Sequence, residues 1–146
     1  MPKIDFYILP ESNLAASLPL ICRIIEKAYK QKHRIYIHTG NQETAHLLDE
    51  TLWTYRDDSF LPHNLYGEGP DPAPPIQIGF GVTPEKQRDI LINLDQQIPP
   101  FHTQFNRVLE FVLQETATQE AGRERYRYYR TQGFQLNTHK LQTTEV

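Results

Sequence analysis

The sequence predicts an α/β fold in which a mostly parallel central sheet carries helices on both faces, in three layers. Short runs of consecutive apolar residues, typical of strands buried on both faces, alternate with segments whose apolar residues recur at helical spacing. The order strand, helix, strand, helix in the first part of the chain favours parallel strands joined by right-handed crossovers. A length of 146 residues suits a single domain, residues 1–146, around one core.

The first part of the chain shows this alternation most clearly. Ile4–Leu9 is predicted as a first strand, and Ser17 is predicted to cap the helix that follows, with Pro19 in its first turn. Arg34–His38 is predicted as a second strand, and Asn41 is placed to cap a second helix. The apolar faces of the two helices consist of Leu18, Ile21, Cys22, Ile25, Ala28 and Tyr29 in the first, and of Ala45, Leu48 and Leu52 in the second.

The rest of the chain is more interrupted. Residues 67–75 contain four prolines and two glycines, which exclude a helix or an interior strand and predict an exposed connector. Phe134 and Leu136 are expected to pack on the core, and residues from about 138 to 146 are expected to fray. The remaining predicted elements are strands at 76–80, 90–94 and 108–112, a short helix at 101–105 and a final helix at 116–132.

Composition and charge narrow the range of functions. The net charge of −3 argues against general nucleic-acid binding, which favours a basic domain. The start of the chain lacks the apolar core of a signal peptide and no apolar run is long enough to cross a bilayer, so we expect a cytoplasmic protein without membrane contact. Cys22 is the only cysteine, which excludes an intramolecular disulfide, and it is expected to be buried. Basic residues complement the helix dipole at the end of the first helix, at Lys27, Lys30, Lys32 and Arg34.

Motifs for catalysis are missing, and we expect no enzyme activity, cofactor or metal site. The turn after the first strand contains no glycine, and Gly67-Glu68-Gly69 lies in the connector, so neither resembles a phosphate-binding loop. None of the six histidines lies four residues from another, as a helical metal pair requires. Asp57, Asp58 and His63 are close in sequence, but carboxylates beside a histidine in a loop more often cap turns.

Residues 123–134 are the most distinctive segment, because four arginines and three tyrosines occupy its first eight positions. Guanidinium groups pair with carboxylates or phosphates, and tyrosine adds amphipathic contact area, so the segment favours an anionic partner. A solvated helix, with Glu124 paired to Tyr128 or to an arginine, is the competing interpretation. Gly133 is a suitable helix stop. Helical spacing would place on one face Arg123, Tyr126, Arg127 and Arg130.

Residues 52–65 are unusually apolar for a segment predicted as a loop. They include the only tryptophan, Trp53, and several other large apolar residues. Two interpretations are open. The side chains anchor the loop on the core, or they form an exposed patch that binds a partner.

Several sequence blocks, in the same order along nearly the whole chain, resemble the chi subunit family of bacterial DNA polymerase III, an accessory subunit of the clamp-loader complex. The resemblance implies a nucleotide-binding-like, Rossmann-like fold without a phosphate loop and a non-catalytic function in DNA replication. The blocks are Leu48-Asp49-Glu50-Thr51-Leu52-Trp53, Ser59-Phe60-Leu61-Pro62-His63-Asn64-Leu65 with Gly67-Glu68-Gly69, Arg88-Asp89-Ile90-Leu91-Ile92, and Arg123 to Arg130 with Gly133-Phe134.

The resemblance also implies two protein partners. Family members bind the psi subunit, which links them to the clamp loader, and the acidic C-terminal tail of single-stranded DNA-binding protein, which ends in a phenylalanine carboxylate. Gln119 stands where the family has a lysine, and Arg125 or Arg130 would be the replacements for its charge. The residues implied for the tail site are Val112, Arg123, Tyr126, Arg127, Arg130 and Phe134, and those for the psi surface are Trp53, Phe60, Leu61 and Pro62.

Two other functions stay open from the sequence. A degenerate nucleotide-binding enzyme would use the crevice at the carboxyl ends of the strands, and stabilisation by a nucleotide would support it. Direct binding of single-stranded nucleic acid by the arginine and tyrosine face predicts steep salt dependence. An adaptor predicts little nucleic-acid binding at physiological salt.

Overall fold

Parallel strands form the centre of the structure. The computed structural model describes residues 2–56, 58, 60–69, 72–85 and 87–142, and these contain seven strands in one all-parallel sheet of order β3-β4-β2-β5-β6-β1-β7. This confirms the predicted α/β class. The elements in chain order are β1 (Lys3–Ile8), α1 (Leu14–Lys30), β2 (Ile35–Thr39), α2 (Gln42–Thr54), β3 (His63–Leu65), β4 (Ile76–Phe80), β5 (Ile90–Asn93), a 3₁₀ helix (Pro100–Gln104), β6 (Arg107–Val112), α3 (Thr116–Thr131) and β7 (Gln135–Lys140).

An apolar cluster on each face of the sheet makes the architecture three-layered. On one face, α1 and α2 pack against the central strands, with Ile37 and Leu48 among the buried residues. On the other face, α3 and the 3₁₀ helix pack against β1 and β6, with Phe6 and Tyr129 in the cluster. Strands β2 and β5 are buried along their whole length, as parallel strands covered on both faces should be.

Helix α1 begins earlier than the sequence predicts. Its N-cap is Asn13, whose Oδ1 accepts a hydrogen bond from the backbone N–H of Ala16 at 2.8 Å. The prediction of Ser17 was wrong because the helix accommodates Pro19 in its interior, and the Ser17 hydroxyl instead donates to the Asn13 carbonyl at 2.9 Å. The predicted cap of α2 is confirmed, since Asn41 Oδ1 accepts a hydrogen bond from the backbone N–H of Thr44 at 2.7 Å.

The apolar stretch 52–65 is only partly a loop. Trp53 belongs to the last turn of α2, and His63 opens the edge strand β3. A strand of three residues has too few positions to show alternation, which is why the sequence did not predict it. His63 Nε2 lies 2.9 Å from the backbone oxygen of Asp49, which ties β3 to α2. Asp57, considered with His63 above, lies outside the described residues.

The chain forms a strand where fraying was predicted. Strand β7 pairs in parallel with β1 along its whole length, from Lys3 opposite Gln135 to Ile8 opposite Lys140. The apolar residues at 134 and 136 pack in the second cluster, as predicted, and anchor the start of the strand. Pairing with β1 then keeps the polar residues of β7 in the sheet, and no hydrophobic pattern in the sequence would predict them as a strand. The prediction of fraying was therefore wrong for residues 138–140, and residues 143–146 lie outside the described residues.

Two kinds of feature are absent from the part of the chain that the structure describes. No helix there is both long enough and apolar enough to span a bilayer. No group of three or more His, Cys, Asp or Glu side chains there is arranged to hold a metal ion. Cys22 is buried in α1, as predicted, and this burial raises the pKa of its thiol to about 12.

Candidate functional site

A cavity of about 350 Å³ lies between α3 and the β1–β7 edge of the sheet, and we call it the α3 cavity. Its apolar floor comes from Phe6 and Ile8 of β1 and from Val112 of β6. Arg123, which is exposed, and Tyr126, which is half-buried, approach it from α3. The lining is completed by Gln119, Gly122 and Thr138.

Gly122 determines how closely α3 approaches the sheet. A Cβ atom built at this position would lie 2.8 Å from Cγ2 of Val112, closer than such carbons pack in proteins. A side chain here would push α3 away from β6 or turn Val112. The glycine thus brings Arg123 and Tyr126, which follow it on the helix, next to the apolar floor.

A buried ion pair holds α3 in its orientation. Arg125 Nε donates to Glu110 Oε1 at 2.8 Å, and both side chains are almost fully buried. The Tyr129 hydroxyl donates to the other carboxylate oxygen at 2.7 Å, and Asn93 Nδ2 donates to the same carboxylate. Desolvation raises the pKa of Glu110, and the positive charge of Arg125 opposes that shift. These bonds select the face of α3 that meets the sheet.

The orientation of α3 leaves Arg123 and Tyr126 at the α3 cavity. The Tyr126 ring packs edge-on against Phe6, with 5.4 Å between ring centroids. Arg123 forms no ion pair with another described residue. An apolar floor beside an unpaired guanidinium suits a ligand that carries both an apolar group and a carboxylate.

Three residues implied for tail binding, Val112, Arg123 and Tyr126, meet in the α3 cavity. Gln119 also lines it and donates through Nε2 to Gln114 Oε1 at 3.3 Å. Because the side chain at position 119 is neutral, Arg123 is the one cation among the described residues that line this cavity.

The other implied tail residues lie elsewhere. Arg127 Nη1 is 2.6 Å from Glu124 Oε1 on the outer surface of α3, so the solvated-helix interpretation is confirmed for that pair. Arg130 is exposed but does not line the α3 cavity, and Phe134 is buried in the second cluster. Arg125 cannot replace a missing surface charge, since the buried ion pair holds it. That suggestion was wrong.

Sequence reasoning gave Val112 of β6 but missed the contribution of strands β1 and β7 to this cavity. Phe6 and Ile8 alternate along β1 and so share one face, and this period of two was visible in the sequence. Thr138 had no signal of its own, because its position depends on the pairing of β7 with β1. Gly122 was also unmarked, since its role depends on the distance to Val112.

A second exposed apolar surface, the Trp53–Phe60 patch, lies where α2 ends. Trp53 is 49% exposed and Phe60 is 69% exposed, with 5.8 Å between ring centroids. Leu61 is buried in the first cluster and Pro62 is partly buried. Both interpretations of the stretch therefore hold for different residues: Leu61 anchors the core, while Trp53 and Phe60 face outward.

The fold and these surfaces define an α/β protein with a parallel sheet and a distinct apolar surface near each of its two edges. Comparison with known proteins identifies the family. The family model described as "DNA polymerase III chi subunit, HolC" matches residues 1–137. The chain belongs to the DNA polymerase III chi subunit family, a family of replication accessory subunits. The resemblance seen in the sequence blocks is thereby confirmed.

Three relatives, each named DNA polymerase III subunit chi, are similar over almost their whole length. The Pseudomonas aeruginosa protein is 39% identical over 141 residues, which cover 97% of this chain and 98% of that protein. The Escherichia coli protein is 38% identical, covering 94% and 97%. The Haemophilus influenzae protein is 34% identical, covering 94% and 96%.

Proposed function

We propose that this chain is a non-catalytic adaptor in DNA replication. It links the psi subunit, and through it the clamp-loader complex, to the C-terminal tail of single-stranded DNA-binding protein. Family membership supports the replication function. The observation that carries the tail-binding part is the α3 cavity, which combines an apolar floor with the unpaired guanidinium of Arg123.

The α3 cavity offers what a peptide ending in phenylalanine needs. Its volume of about 350 Å³ lies within the range of small-ligand sites. The terminal ring would lie against Phe6 and Val112, and the terminal carboxylate would pair with Arg123. Gln119 supplies hydrogen-bonding groups but no charge, so Arg123 carries the electrostatic contact within the cavity.

The Trp53–Phe60 patch is the proposed psi surface. Exposed aromatic pairs of this kind are typical centres of protein interfaces. The patch lies beside β3, and the α3 cavity lies beside β7, the two edge strands of the sheet. Neighbouring strands lie about 4.8 Å apart, so the six spacings of the seven-stranded sheet place its two edges about 29 Å apart. That separation allows both partners to bind at once, as an adaptor requires.

Calorimetric titration with the tail peptide tests the first contact. We expect binding by the full peptide and loss of binding when its terminal phenylalanine is deleted. Arg123→Ala should weaken binding by about 1.5–3 kcal/mol, the value of a hydrogen bond to a charged group. Arg127→Ala should cost less than about 1 kcal/mol, because Arg127 is already paired with Glu124 on the surface. Wild-type affinity in Arg123→Ala would show that the tail does not use this cavity.

A pull-down with psi tests the second contact. Phe60→Ala should reduce capture of psi, since this exposed ring contributes to the patch and little to the core. Leu47→Ala is the matched control, because Leu47 is also an exposed apolar side chain but is not part of the Trp53–Phe60 pair. Equal losses in the two variants would contradict a specific role for the patch.

A further inference from the structure

A cleft of about 790 Å³ lies beside α1, on the face of the sheet opposite the α3 cavity. Side chains alternate along a strand, so Tyr7 and His139 face this cleft, whereas Ile8 and Thr138 face the α3 cavity. Strands β1 and β7 contribute to its floor, and α1 forms a wall. We call it the basic cleft, and it shares no lining residue with the proposed tail site.

The basic cleft concentrates positive charge on a chain whose net charge is −3. Glu26 is the one carboxylate among the described residues that line it. A positive concavity on an acidic body attracts anionic partners selectively. Its lysines and arginines are Arg23, Lys27, Lys30, Arg56 and Arg107.

Buried carboxylates hold part of this positive charge in place. Glu26 Oε1 lies 3.1 Å from Arg56 Nη1, and Glu26 Oε2 lies 3.7 Å from Lys30 Nζ. Asp5 lies 2.7 Å from the Nε of Arg107 and 2.9 Å from a ring nitrogen of the β7 histidine. Arg107 uses Nε for this contact, and its side chain is 38% exposed, so the outer part of its guanidinium faces the cleft.

Arg23 and Lys27 are exposed and form no ion pair with another described residue. They are four residues apart on α1 and so lie on the same face. The helix dipole accounts for basic residues in the last turn, such as Lys27 and Lys30. It does not account for Arg23, because the effect fades within one turn of the helix end. A common position at the wall of the basic cleft therefore explains the two unpaired charges, Arg23 and Lys27, better than the helix dipole does.

We propose that the basic cleft binds an extended acidic segment of a partner protein. The charge favours an anion, and apolar side chains of the partner would contact Leu20, Ile24 and Leu141, which lie among the cations. The same observations favour a peptide over single-stranded nucleic acid. Sites for single-stranded nucleic acid stack bases on open aromatic faces. In the basic cleft the Tyr7 ring is already stacked on both sides, by Phe111 and by the β7 histidine.

The α1 wall sets the length of the segment. Leu20 to Lys30 covers ten helical rises, or about 15 Å. An extended chain advances about 3.3 Å per residue, so four or five residues would lie along the wall. The inference does not depend on the proposed tail site.

Fluorescence anisotropy with a labelled peptide tests the proposal. The probe has about eight residues, repeats Glu-Asp-Leu, and carries a C-terminal amide, so it offers no terminal carboxylate to the α3 cavity. We expect saturable binding that Arg23→Gln/Lys27→Gln weakens at least about tenfold. The charge-matched control Lys32→Gln/Arg88→Gln, which alters no residue lining the cleft, should change the affinity less than about twofold. Arg123→Ala should leave it unchanged.

Three results would overturn the proposal. The first is equal affinity of the wild type and the Arg23→Gln/Lys27→Gln variant. The second is an absence of saturable binding to the wild-type protein. The third is that an oligo(dT) of equal charge binds more tightly than the peptide and that the same two substitutions weaken its binding, which would assign the cleft to nucleic acid. Circular dichroism of the double variant checks folding, and both substituted side chains are exposed, so its spectrum should match that of the wild type.

Discussion

Substitution of Gly122 by alanine tests the close approach on which the α3 cavity depends. The new methyl group would lie 2.8 Å from Cγ2 and 3.5 Å from Cγ1 of Val112. Carbon atoms pack best at about 3.5–4.0 Å, so one contact is too short by roughly 1 Å. Relieving it requires a helix shift or a turned valine, which costs about 1–3 kcal/mol. Replacing glycine by alanine inside a helix gains about 1 kcal/mol. We expect a net loss of about 0–2 kcal/mol.

Urea denaturation followed by circular dichroism measures this change in the free energy of unfolding. Val112→Ala removes both methyl groups that the new side chain would meet. The double variant should therefore be more stable than the sum of the two single effects implies, by about 1–3 kcal/mol. A gain of about 1 kcal/mol in Gly122→Ala alone would refute the reasoning, because helix propensity would then act without any opposing contact.

Three further perturbations follow from the packing and the buried charges. Gly79→Ala should destabilise the fold by about 3 kcal/mol, since the new Cβ would overlap the Tyr36 hydroxyl; an unchanged thermal midpoint would contradict this. Glu110→Gln leaves buried Arg125 without its counter-charge and should cost about 3–5 kcal/mol in urea denaturation, whereas a loss below about 1 kcal/mol would mean that the pair is not buried. Burial raises the pKa of Asp5, but hydrogen bonds from its two partners outweigh burial and leave the pKa below 3.8. Its stabilisation is therefore complete above that value and is lost as the pH falls through the lowered pKa. The difference in unfolding free energy between wild type and Asp5→Asn should shrink below about pH 4, and a constant difference down to pH 2 would disagree with this pairing.

Hydrophobic patterning determined the class of the fold and most of its elements. Consecutive apolar residues predicted β2 and β5, and helical spacing predicted the buried faces of α1 and α2. Both signals are local. A buried face requires apolar residues at fixed positions along the element, whichever other element covers that face. The sequence blocks likewise sufficed to indicate the family. Among the site residues, Val112, Arg123 and Tyr126 were predicted and do meet in one cavity.

Only the tertiary structure decided what each residue of the arginine-rich segment contacts. Helical spacing separates Arg125 from the other three arginines but does not show what any of them contacts. In the structure Arg125 is buried against Glu110, Arg127 pairs on the surface and Arg123 lies at the cavity. The polar residues of β7 likewise carry no strand signal and are ordered by pairing with β1. The physical reason is the same for Arg125 and for β7. A buried charge or an edge strand is stabilised by groups far away along the chain, and the local sequence does not show which groups those are.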